Sequence, residues 1–549
     1  METKNATSLY DYIEKSVIDG RLPEDFSLAR AIAGEDELVF ADGAMDGCGI
    51  YHSYPPEPDE ADCQMMTRAL QYASSRDFDK ADALFLKLAE KNRAIFTIKK
   101  LQACVADNKD KLKAGNIYEY ALWLLHTSGD TECVKYGLSL LELFDTDFNE
   151  SIRNEIRTVG LSDEFTFFSV LNMRYWKNGN DEIFRLAKKV HGWGRIHAIE
   201  YLEPTTDEIK SWLLKEAVHN DVMPTYSALT CWNHSGAERI LMNHPTREEF
   251  AGIRNIIDAL LDEGPVRGLS AIENGEEVIT AFLDEAQRIG NDLASGLTLE
   301  DYEVINHIRS HYAEKAKKHE DAATAFLEKA NMSGKDSVAP EDDEAAGMAR
   351  SYLAEKKIVL TCRKILTTYK CWCVLIDSAK TGKGIEAATA AGIDCKPYIR
   401  DLMKSSFKDA YHLCGYLAQD ETYRKELLEI YESRLPLAEM KRAPGLTLGF
   451  GEKYWRQRAL EMLLQELRPY PFEGKAFVET GLQSEPIRTR NGALTVLRMW
   501  VEKSGKPLAE ILPDFQALLT RLRDIEPDKA AKGRMNALIE GNVTFGKEF

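Results

Sequence analysis

The sequence lacks any apolar run long enough to cross a membrane, and its first twenty residues hold no unbroken apolar stretch of the secretory type. We therefore expect a soluble, cytoplasmic protein without a membrane partner. Its ten cysteines are scattered from Cys48 to Cys414, unlike the dense spacing of small disulfide-bonded domains. We expect reduced thiols, most of them buried.

Positive charge is also scarce, because the formal net charge is −19. Residues 435–549 hold 18 Lys and Arg against 15 Asp and Glu, so this stretch carries +3 and the other 434 residues carry −22. Nucleic acids and anionic membranes bind to basic surfaces. We therefore expect no nucleic acid as a partner.

Alternating strand-like patterns are rare, and the one candidate is ELVFADGAMDGCGIYHSY. Helical periodicity dominates instead, as in DEIFRLAKKV and EEVITAFLDEAQRI. Capping boxes beginning at Thr205 and Thr246 predict two helix starts. GLTLGFG, 445–451, has glycine spacing but no βαβ context, and it predicts a loop that enters a helix near Trp455.

A short motif, R-x-x-A-[IL]-x-x-L, recurs along the chain. It begins at Arg195, Arg456 and Arg490, and a truncated copy begins at Arg534. The last three starts are 34 and 44 residues apart, close to the period of two-helix HEAT repeats. Its apolar positions share one helix face. We predict that they form seams between repeats, where each arginine reaches carbonyls or carboxylates of the adjacent repeat.

These patterns predict an all-α fold, a curved α-solenoid of HEAT-like helix pairs with a small irregular N-terminal cap. The cap and a junction rich in Gly, Pro and acidic residues occupy 1–62. A first helical-repeat half follows at 63–330 and an acidic loop at 331–344. A second half with a HEAT-like C-terminus occupies 345–549.

The junction contains DGAMDGCGIYH, in which Asp42, Asp46, Tyr51 and His52 lie within eleven residues. Its glycines permit tight turns. One interpretation is a loop that forms a pocket or binds a partner. The other is an irregular end-cap that closes the first apolar face of the solenoid. Both interpretations stay open.

A second candidate site consists of Glu303, His307 and His311, which share one predicted helix face. His-x3-His can bind a transition metal with help from a carboxylate. The alternative is the solvated face of a charged helix. Cys371 and Cys373 lack the usual C-x2-C zinc spacing, and no complete phosphate-loop or nucleophile-elbow motif is present. We predict no metal and no cofactor.

Three segments, SLYDYIEKSVIDGRLPEDFSL, VFADGAMDGCGIYH and HGWGRIHAIEYLEPTTDEIKSWLL, carry a family resemblance. They resemble a bacterial family of HEAT-like helical-repeat proteins whose members are often labelled limonene hydroxylase. The resemblance runs along most of the chain. That label implies oxidation of a monoterpene with a nicotinamide reductant and oxygen. It implies no catalytic residue here, because the family offers no mechanism-bearing motif to match.

Helical repeats without a catalytic motif favour a non-catalytic cytoplasmic scaffold that binds a protein or peptide in its concave groove. One alternative is the limonene hydroxylase-type monooxygenase or dehydrogenase that the resemblance implies. Another is a HEAT-like nucleic-acid-binding protein, which the acidic charge disfavours. Six tryptophans are candidates for core residues or for peptide anchors in the groove: Trp176, Trp193, Trp212, Trp232, Trp455 and Trp500.

Overall fold

A computed structural model of the chain describes residues 8–33, 39–53, 58–264, 266–292, 296–333 and 343–542. Helix accounts for 72% of the chain, and no strand occurs among the described residues. Their β structure is limited to an isolated bridge between Ile18 and Arg21. The predicted all-α class is therefore confirmed.

The chain divides into two compact units. Unit 1 comprises residues 1–296 and 307–359, and unit 2 comprises residues 297–306 and 360–549. Unit 1 contains α1 Leu9–Ser16, α2 Leu28–Ile32, α3 Ala44–His52, α4 Glu60–Ser74, α5 Phe78–Lys91, α6 Ala94–Asp107, α7 Ala114–Thr127, α8 Thr131–Leu141, α9 Glu150–Val159, α10 Thr166–Met173, α11 Gly179–Ala187, α12 Gly192–Glu200, α13 Asp207–Lys215, α14 Thr225–Ser235, α15 Ala237–Leu241, α16 Arg247–Leu261 and α17 Gly275–Asn291.

Two long helices follow, and their residues are divided between the units: α18 Leu299–Ser333 and α19 Asp343–Leu366. Unit 2 continues with α20 Tyr369–Ala379, α21 Ile385–Ala390, α22 Lys396–Ser405, α23 Phe407–Ala410, α24 Cys414–Ala418, α25 Glu421–Arg434, α26 Leu437–Met440, α27 Trp455–Leu467, α28 Lys475–Leu482, α29 Ile487–Ser504, α30 Leu508–Ile511, α31 Pro513–Ile525 and α32 Lys529–Ile539. Short 3-10 turns lie at Leu269–Ala271, Tyr411–Leu413 and Glu452–Tyr454.

One predicted helix start is confirmed and the other is wrong by one residue. At α16, the Thr246 Oγ1 accepts from the Glu249 N–H at 3.3 Å, and Glu249 Oε2 accepts from the Thr246 N–H at 2.8 Å. At α13 the N-cap is Thr206. The side chain of Thr205 is engaged elsewhere, because its Oγ1 accepts from Asn180 Nδ2 at 2.9 Å. The loop predicted before Trp455 is confirmed, since α27 begins there.

Helices of unit 1 pack mainly on neighbours along the chain, such as α4 on α5, α7 on α8 and α14 on α16. The predicted N-terminal cap contributes α1, α2 and α3 to this unit, and α1 packs against α7 and α9. The Leu9 N–H donates to the Ser128 carbonyl at 3.0 Å. Residues 1–7, 34–38 and 54–57 of the predicted cap lie outside the described residues.

The predicted strand-like, turn-rich segment is wrong over 44–52, which form helix α3. Gly47 and Gly49 lie inside that helix. A Cβ on Gly47 would come within 2.1 Å of the Trp193 ring, and one on Gly49 within 2.3 Å of the Phe96 ring. These glycines therefore permit close contact of α3 with α6 and α12. Gly43 makes the turn before α3, with a φ of +74°.

The predicted acidic loop at 331–344 is shorter than expected where the structure describes it. Helix α18 continues to Ser333 and α19 begins at Asp343. The remaining residues of the predicted loop, 334–342, lie outside the described residues.

Most of the cysteines and most of the six candidate tryptophans are buried. Seven of the ten cysteines are buried, which agrees with the expectation for most of them. Five of the six tryptophans are also buried, and only Trp455 of the six is partly exposed. In the described part of the chain, no helix combines the length and apolar character that a membrane span requires.

The copies of the repeated motif that begin at Arg456, Arg490 and Arg534 lie in α27, α29 and α32, and the copy that begins at Arg195 lies in α12 except for its last two residues. In unit 2, α27 packs on α29, and α29 packs on α32. The apolar positions of the two full copies in this unit are fully buried: Ala459, Leu460, Leu463, Ala493, Leu494 and Leu497.

The motif arginines differ in their surroundings. The Arg490 side chain is fully buried, and its Nε and Nη2 donate to the two carboxylate oxygens of Glu526 at 2.8 and 2.7 Å. It also donates to the carbonyls of Ser484 at 3.1 Å and Gly445 at 2.8 Å. Arg490 therefore joins α29 to the segment before α27, to the turn before α29 and to the segment before α32.

The other three arginines are more exposed. Arg195 Nη2 donates to the Glu216 carbonyl at 2.8 Å, and its guanidinium lies 5.1 Å from the Trp212 ring centroid. The Arg456 guanidinium is 5.0 Å from the ring centroid of its neighbour Trp455. Within the described residues, Arg534 is partly exposed and makes no side-chain ion pair.

We expect Arg490→Ala to lower the free energy of unfolding by about 3–5 kcal/mol, because it leaves the buried Glu526 carboxylate without its cation. Arg534→Ala is the matched control and should change that free energy by less than about 0.5 kcal/mol. Urea denaturation of both variants tests this. Equal losses of unfolding free energy in the two variants would show that the pair of Arg490 with Glu526 does not stabilise unit 2.

Candidate functional site

A fully buried lysine lies behind the predicted site segment 42–52. Lys135 Nζ on α8 is 2.6 Å from Asp46 Oδ2, 2.9 Å from Glu132 Oε1 and 2.5 Å from Glu164 Oε1. The Arg93 guanidinium joins the same cluster, 2.7 Å from Asp46 and 3.2 Å from Glu132. Two cations therefore face three carboxylates, which compensates for the loss of hydration.

The network also binds backbone groups at two helix starts. The Gly43 N–H, just before α3, donates to Glu164 Oε2 at 2.7 Å. The Ala94 N–H, at the start of α6, donates to Glu132 Oε2 at 2.6 Å. The carboxylate oxygens that do not face Lys135 thus hold the beginnings of α3 and α6. Asp46, a predicted site residue, is consequently a buried anchor for α3.

Electrostatics keep this network ionised. Burial opposes ionisation of Asp46, but the charges of Lys135 and Arg93 outweigh burial and lower the pKa of its carboxyl. Burial likewise opposes the charge on Lys135, yet Glu164 and Asp46 raise the pKa of its amine above the ordinary value. A lysine held protonated in this way cannot serve as a nucleophile or base.

A cavity of about 230 Å³ lies next to the network, and Asp42, Asp163, Phe26, His191 and Trp193 are among its lining residues. It is lined by both acidic and aromatic side chains. Two carboxylates at one cavity can hold a cationic group or exchange a proton.

Each of the two carboxylates also caps a helix. Asp42 accepts from the N–H groups of Leu28 at 2.7 Å and Ala29 at 2.8 Å, at the start of α2. Burial raises the pKa of Asp42 in spite of these bonds. Asp163 accepts from the N–H groups of His191 and Gly194 at the start of α12. Burial raises the pKa of Asp163 to about 8, and the nearby Asp42 charge adds to that shift.

The other two predicted residues of the segment lie in an aromatic cluster. The Tyr51 ring is 4.9 Å from that of Tyr226 and 6.0 Å from that of Trp193, and its hydroxyl donates to Glu200 at 3.2 Å. His52 Nε2 lies 2.6 Å from the Tyr226 hydroxyl. Asp42, Asp46, Tyr51 and His52 therefore lie in three different environments and do not line one pocket.

A buried histidine lies at the base of the aromatic cluster. His197 stacks nearly parallel to Tyr51 and meets the Phe167 ring edge-on at 5.1 Å. In the described part of the chain, neither of its ring nitrogens has a hydrogen-bond partner. Burial lowers the pKa of His197 to about 4, so its imidazole is neutral at pH 7.

The predicted metal residues have separate surroundings. His307 Nδ1 is 2.8 Å from Asp258 Oδ1, and its Nε2 is 3.5 Å from Asp262 Oδ1. His311 lines a different cavity, of about 540 Å³, and burial lowers the pKa of its imidazole. Glu303, His307 and His311 follow one another at four-residue intervals along α18, as the sequence spacing indicates, but their neighbours differ. Among the described residues, no three His, Cys, Asp or Glu side chains are grouped to hold a metal.

A surface feature of unit 2 lies in the segment 441–451, between α26 and α27. Leu446, Leu448 and Phe450 are 66%, 43% and 49% exposed, and they alternate with the less exposed Thr447 and Gly449. We call Leu446, Leu448 and Phe450 the apolar row.

Backbone hydrogen bonds hold the apolar row in place. The Gly445 N–H donates to the Glu485 carbonyl at 3.0 Å, and the Ile487 N–H donates to the Thr447 carbonyl at 2.9 Å. Arg490 binds the Gly445 carbonyl from the interior of the unit. The segment is therefore attached to the start of α29 while its apolar side chains face solvent.

Sequence reasoning missed Lys135, Asp163, His197 and the apolar row. Helix α8 offered no signal for Lys135, because the polar residues of TECVKYGLSLL share one helix face, as they do on a helix whose polar side is solvated. The alternation in GLTLGFG offered one for the row. Asp163 and His197 carried no local signal, since their surroundings come from distant segments.

No family model, curated protein or solved structure matches the chain. The resemblance described above therefore stays an expectation.

We expect Lys135→Met to lower the free energy of unfolding by about 3–5 kcal/mol, because two buried carboxylates and the half-buried Glu164 would then share the single cation of Arg93. Lys80→Met is the control, since Lys80 pairs with Asp77 at the surface and its loss should be hard to detect. Urea denaturation at neutral pH measures both variants. A similar result for the two would show that the buried network does not stabilise unit 1.

We expect His197→Leu to reduce the acid sensitivity of the fold. The folded-state pKa of about 4 lies below that of an unfolded histidine. The unfolded chain therefore takes up a proton first, and stability falls as the pH drops from about 6.5 towards 4. The loss that this histidine causes is at most about 3 kcal/mol. Unfolding free energies measured over this range should diverge between wild type and variant, and parallel curves would contradict the assignment.

Proposed function

We propose that the chain is a non-catalytic cytoplasmic helical-repeat scaffold that binds a protein partner, and that the apolar row forms part of the binding surface. The observation that carries the proposal is the exposure of Leu446, Leu448 and Phe450 side by side. Single exposed apolar residues are ordinary on protein surfaces, whereas adjacent ones mark contact surfaces. Burial of this row by a partner would remove the cost of its hydration.

The packing of unit 2 supports the helical-repeat part of the proposal. The motif-bearing helices α27, α29 and α32 pack in succession, and further helices lie between them in the chain. This is the order expected of HEAT-like helix pairs. A curved solenoid built in this way would offer a long groove for a protein or peptide.

The ionisable groups of unit 1 have structural roles, which supports a scaffold rather than an enzyme. Asp46 holds Lys135, while Asp42 and Asp163 cap helices. These groups have structural roles that account for their positions. The oxidation of a monoterpene, which the resemblance implies, would need a redox cofactor.

The test is affinity capture from the native cytosol with the full-length chain, quantified by mass spectrometry. The row variant carries Leu446→Ala, Leu448→Ala and Phe450→Ala. We expect it to capture the partner at least about tenfold less than wild type, because central apolar residues contribute most of the binding energy of an interface.

The matched control replaces three apolar residues that are exposed at separate places, Ile18, Phe148 and Ile525, with alanine. It should capture the same partner at the wild-type level. Equal capture by the row variant would refute the assigned surface. Turnover of limonene by the pure protein with a nicotinamide reductant and oxygen would refute the non-catalytic scaffold.

A further inference from the structure

The apolar row lies in a basic stretch of an acidic chain. Residues 441–458 contain five Lys or Arg and one Glu, although the whole chain has a net charge of −19. Lys441 and Arg442 precede the row, and Lys453, Arg456 and Arg458 follow it. Two of these cations already have carboxylate partners, Lys441 in Glu479 and Arg458 in Glu452. A partner that covers the row must accommodate the positive charge of the other three.

Two arginines at the row are exposed. The Arg488 guanidinium lies 5.1 Å from the centroid of the Phe450 ring, so it stands over a member of the row. One of its nitrogens is 3.6 Å from Oε2 of Glu461, whose side chain is only 13% exposed, while the Arg488 side chain itself is 47% exposed. Arg442 is exposed, and within the described residues its side chain makes no ion pair. Both guanidinium groups are accessible to a carboxylate.

We propose that this surface binds an acidic segment of a partner protein. Apolar side chains of that segment contact Leu446, Leu448 and Phe450, and its carboxylates bind Arg442 and Arg488. A guanidinium group matches a carboxylate with two parallel hydrogen bonds, and stacking on Phe450 restricts Arg488 before binding. The inference rests on the proposed function and specifies the chemistry of its partner.

The aliphatic side chains of the apolar row favour an acidic protein over a nucleic acid as the partner. Leu446 and Leu448 give no ring on which a base can stack, and Phe450 already contacts Arg488. The rest of the chain is strongly acidic, which repels a phosphate backbone. An acidic peptide with interspersed apolar residues can contact the apolar row and also pair with the exposed arginines beside it.

The experiment measures binding of fluorescent probes to the full-length protein by anisotropy. The first probe is a synthetic peptide that alternates Asp or Glu with Leu or Phe. The second replaces every acid by Lys, the third replaces every apolar residue by Ser, and the fourth is a single-stranded oligonucleotide. We expect only the first to bind well, and its affinity to fall as ionic strength rises from about 0.05 to 0.15 M.

Charge reversal tests the two arginines. Arg442→Glu with Arg488→Glu should weaken the acidic peptide at least about tenfold. Arg76→Glu with Arg185→Glu changes the net charge equally at arginines that are 61% and 63% exposed, and it should leave the affinity unchanged. Arg442→Glu alone is measured as a second variant. In the double variant the new carboxylate at position 488 would repel that of Glu461, whereas the single variant avoids this repulsion.

Several outcomes would overturn the inference. They are equal binding of the Lys peptide, binding of the oligonucleotide in place of the acidic peptide, or no binding of the acidic peptide. If capture from cytosol still depends on the apolar row in any of these cases, the proposed function stands and only the acidic partner is refuted. If capture does not depend on the row, both proposals fail.

Discussion

The ion pairs of Lys135 are the interaction on which the N-terminal region of unit 1 depends. Removing an ammonium group from water costs several kcal/mol unless carboxylates and hydrogen bonds compensate it. Its partners come from α3, from α8 and from the turn before α10. Because Glu132 and Glu164 also accept from backbone N–H groups, the ion pairs and the starts of α3 and α6 stabilise one another. This coupling determines where the segment 42–52 lies.

A buried arginine has the same kind of role in unit 2. Arg490 binds Glu526 and several carbonyls, including that of Gly445 at the base of the segment 441–451. The interior of the unit thus holds the segment whose outer side chains are exposed. A rigid attachment of this kind lowers the entropy that a binding surface loses when a partner covers it. Buried cations therefore organise both units, and the proposed function lies at the surface that one of them supports.

The regions around α3 and α27 differ in whether their functional side chains are engaged within the fold or exposed to solvent. Around α3, the carboxylates and the imidazole of His197 are committed to caps, ion pairs and packing. Around α27, three apolar side chains and several cations face solvent. An enzyme requires reactive groups that converge on a substrate, whereas a scaffold requires an accessible surface with a distinct chemical character. The second description matches the surface of unit 2 and is the reason for the scaffold proposal.

Helix positions could be predicted from the sequence because they depend on neighbouring residues. The capping box at Thr246 and the helix beginning at Trp455 are examples, and both follow from local patterns. The role of Gly47 could not be predicted in this way. A glycine makes a turn or permits close packing according to which side chain meets it, and Trp193 comes from a distant part of the chain. The burial of Lys135 and the neutral state of His197 likewise arise from long-range contacts that no local periodicity encodes.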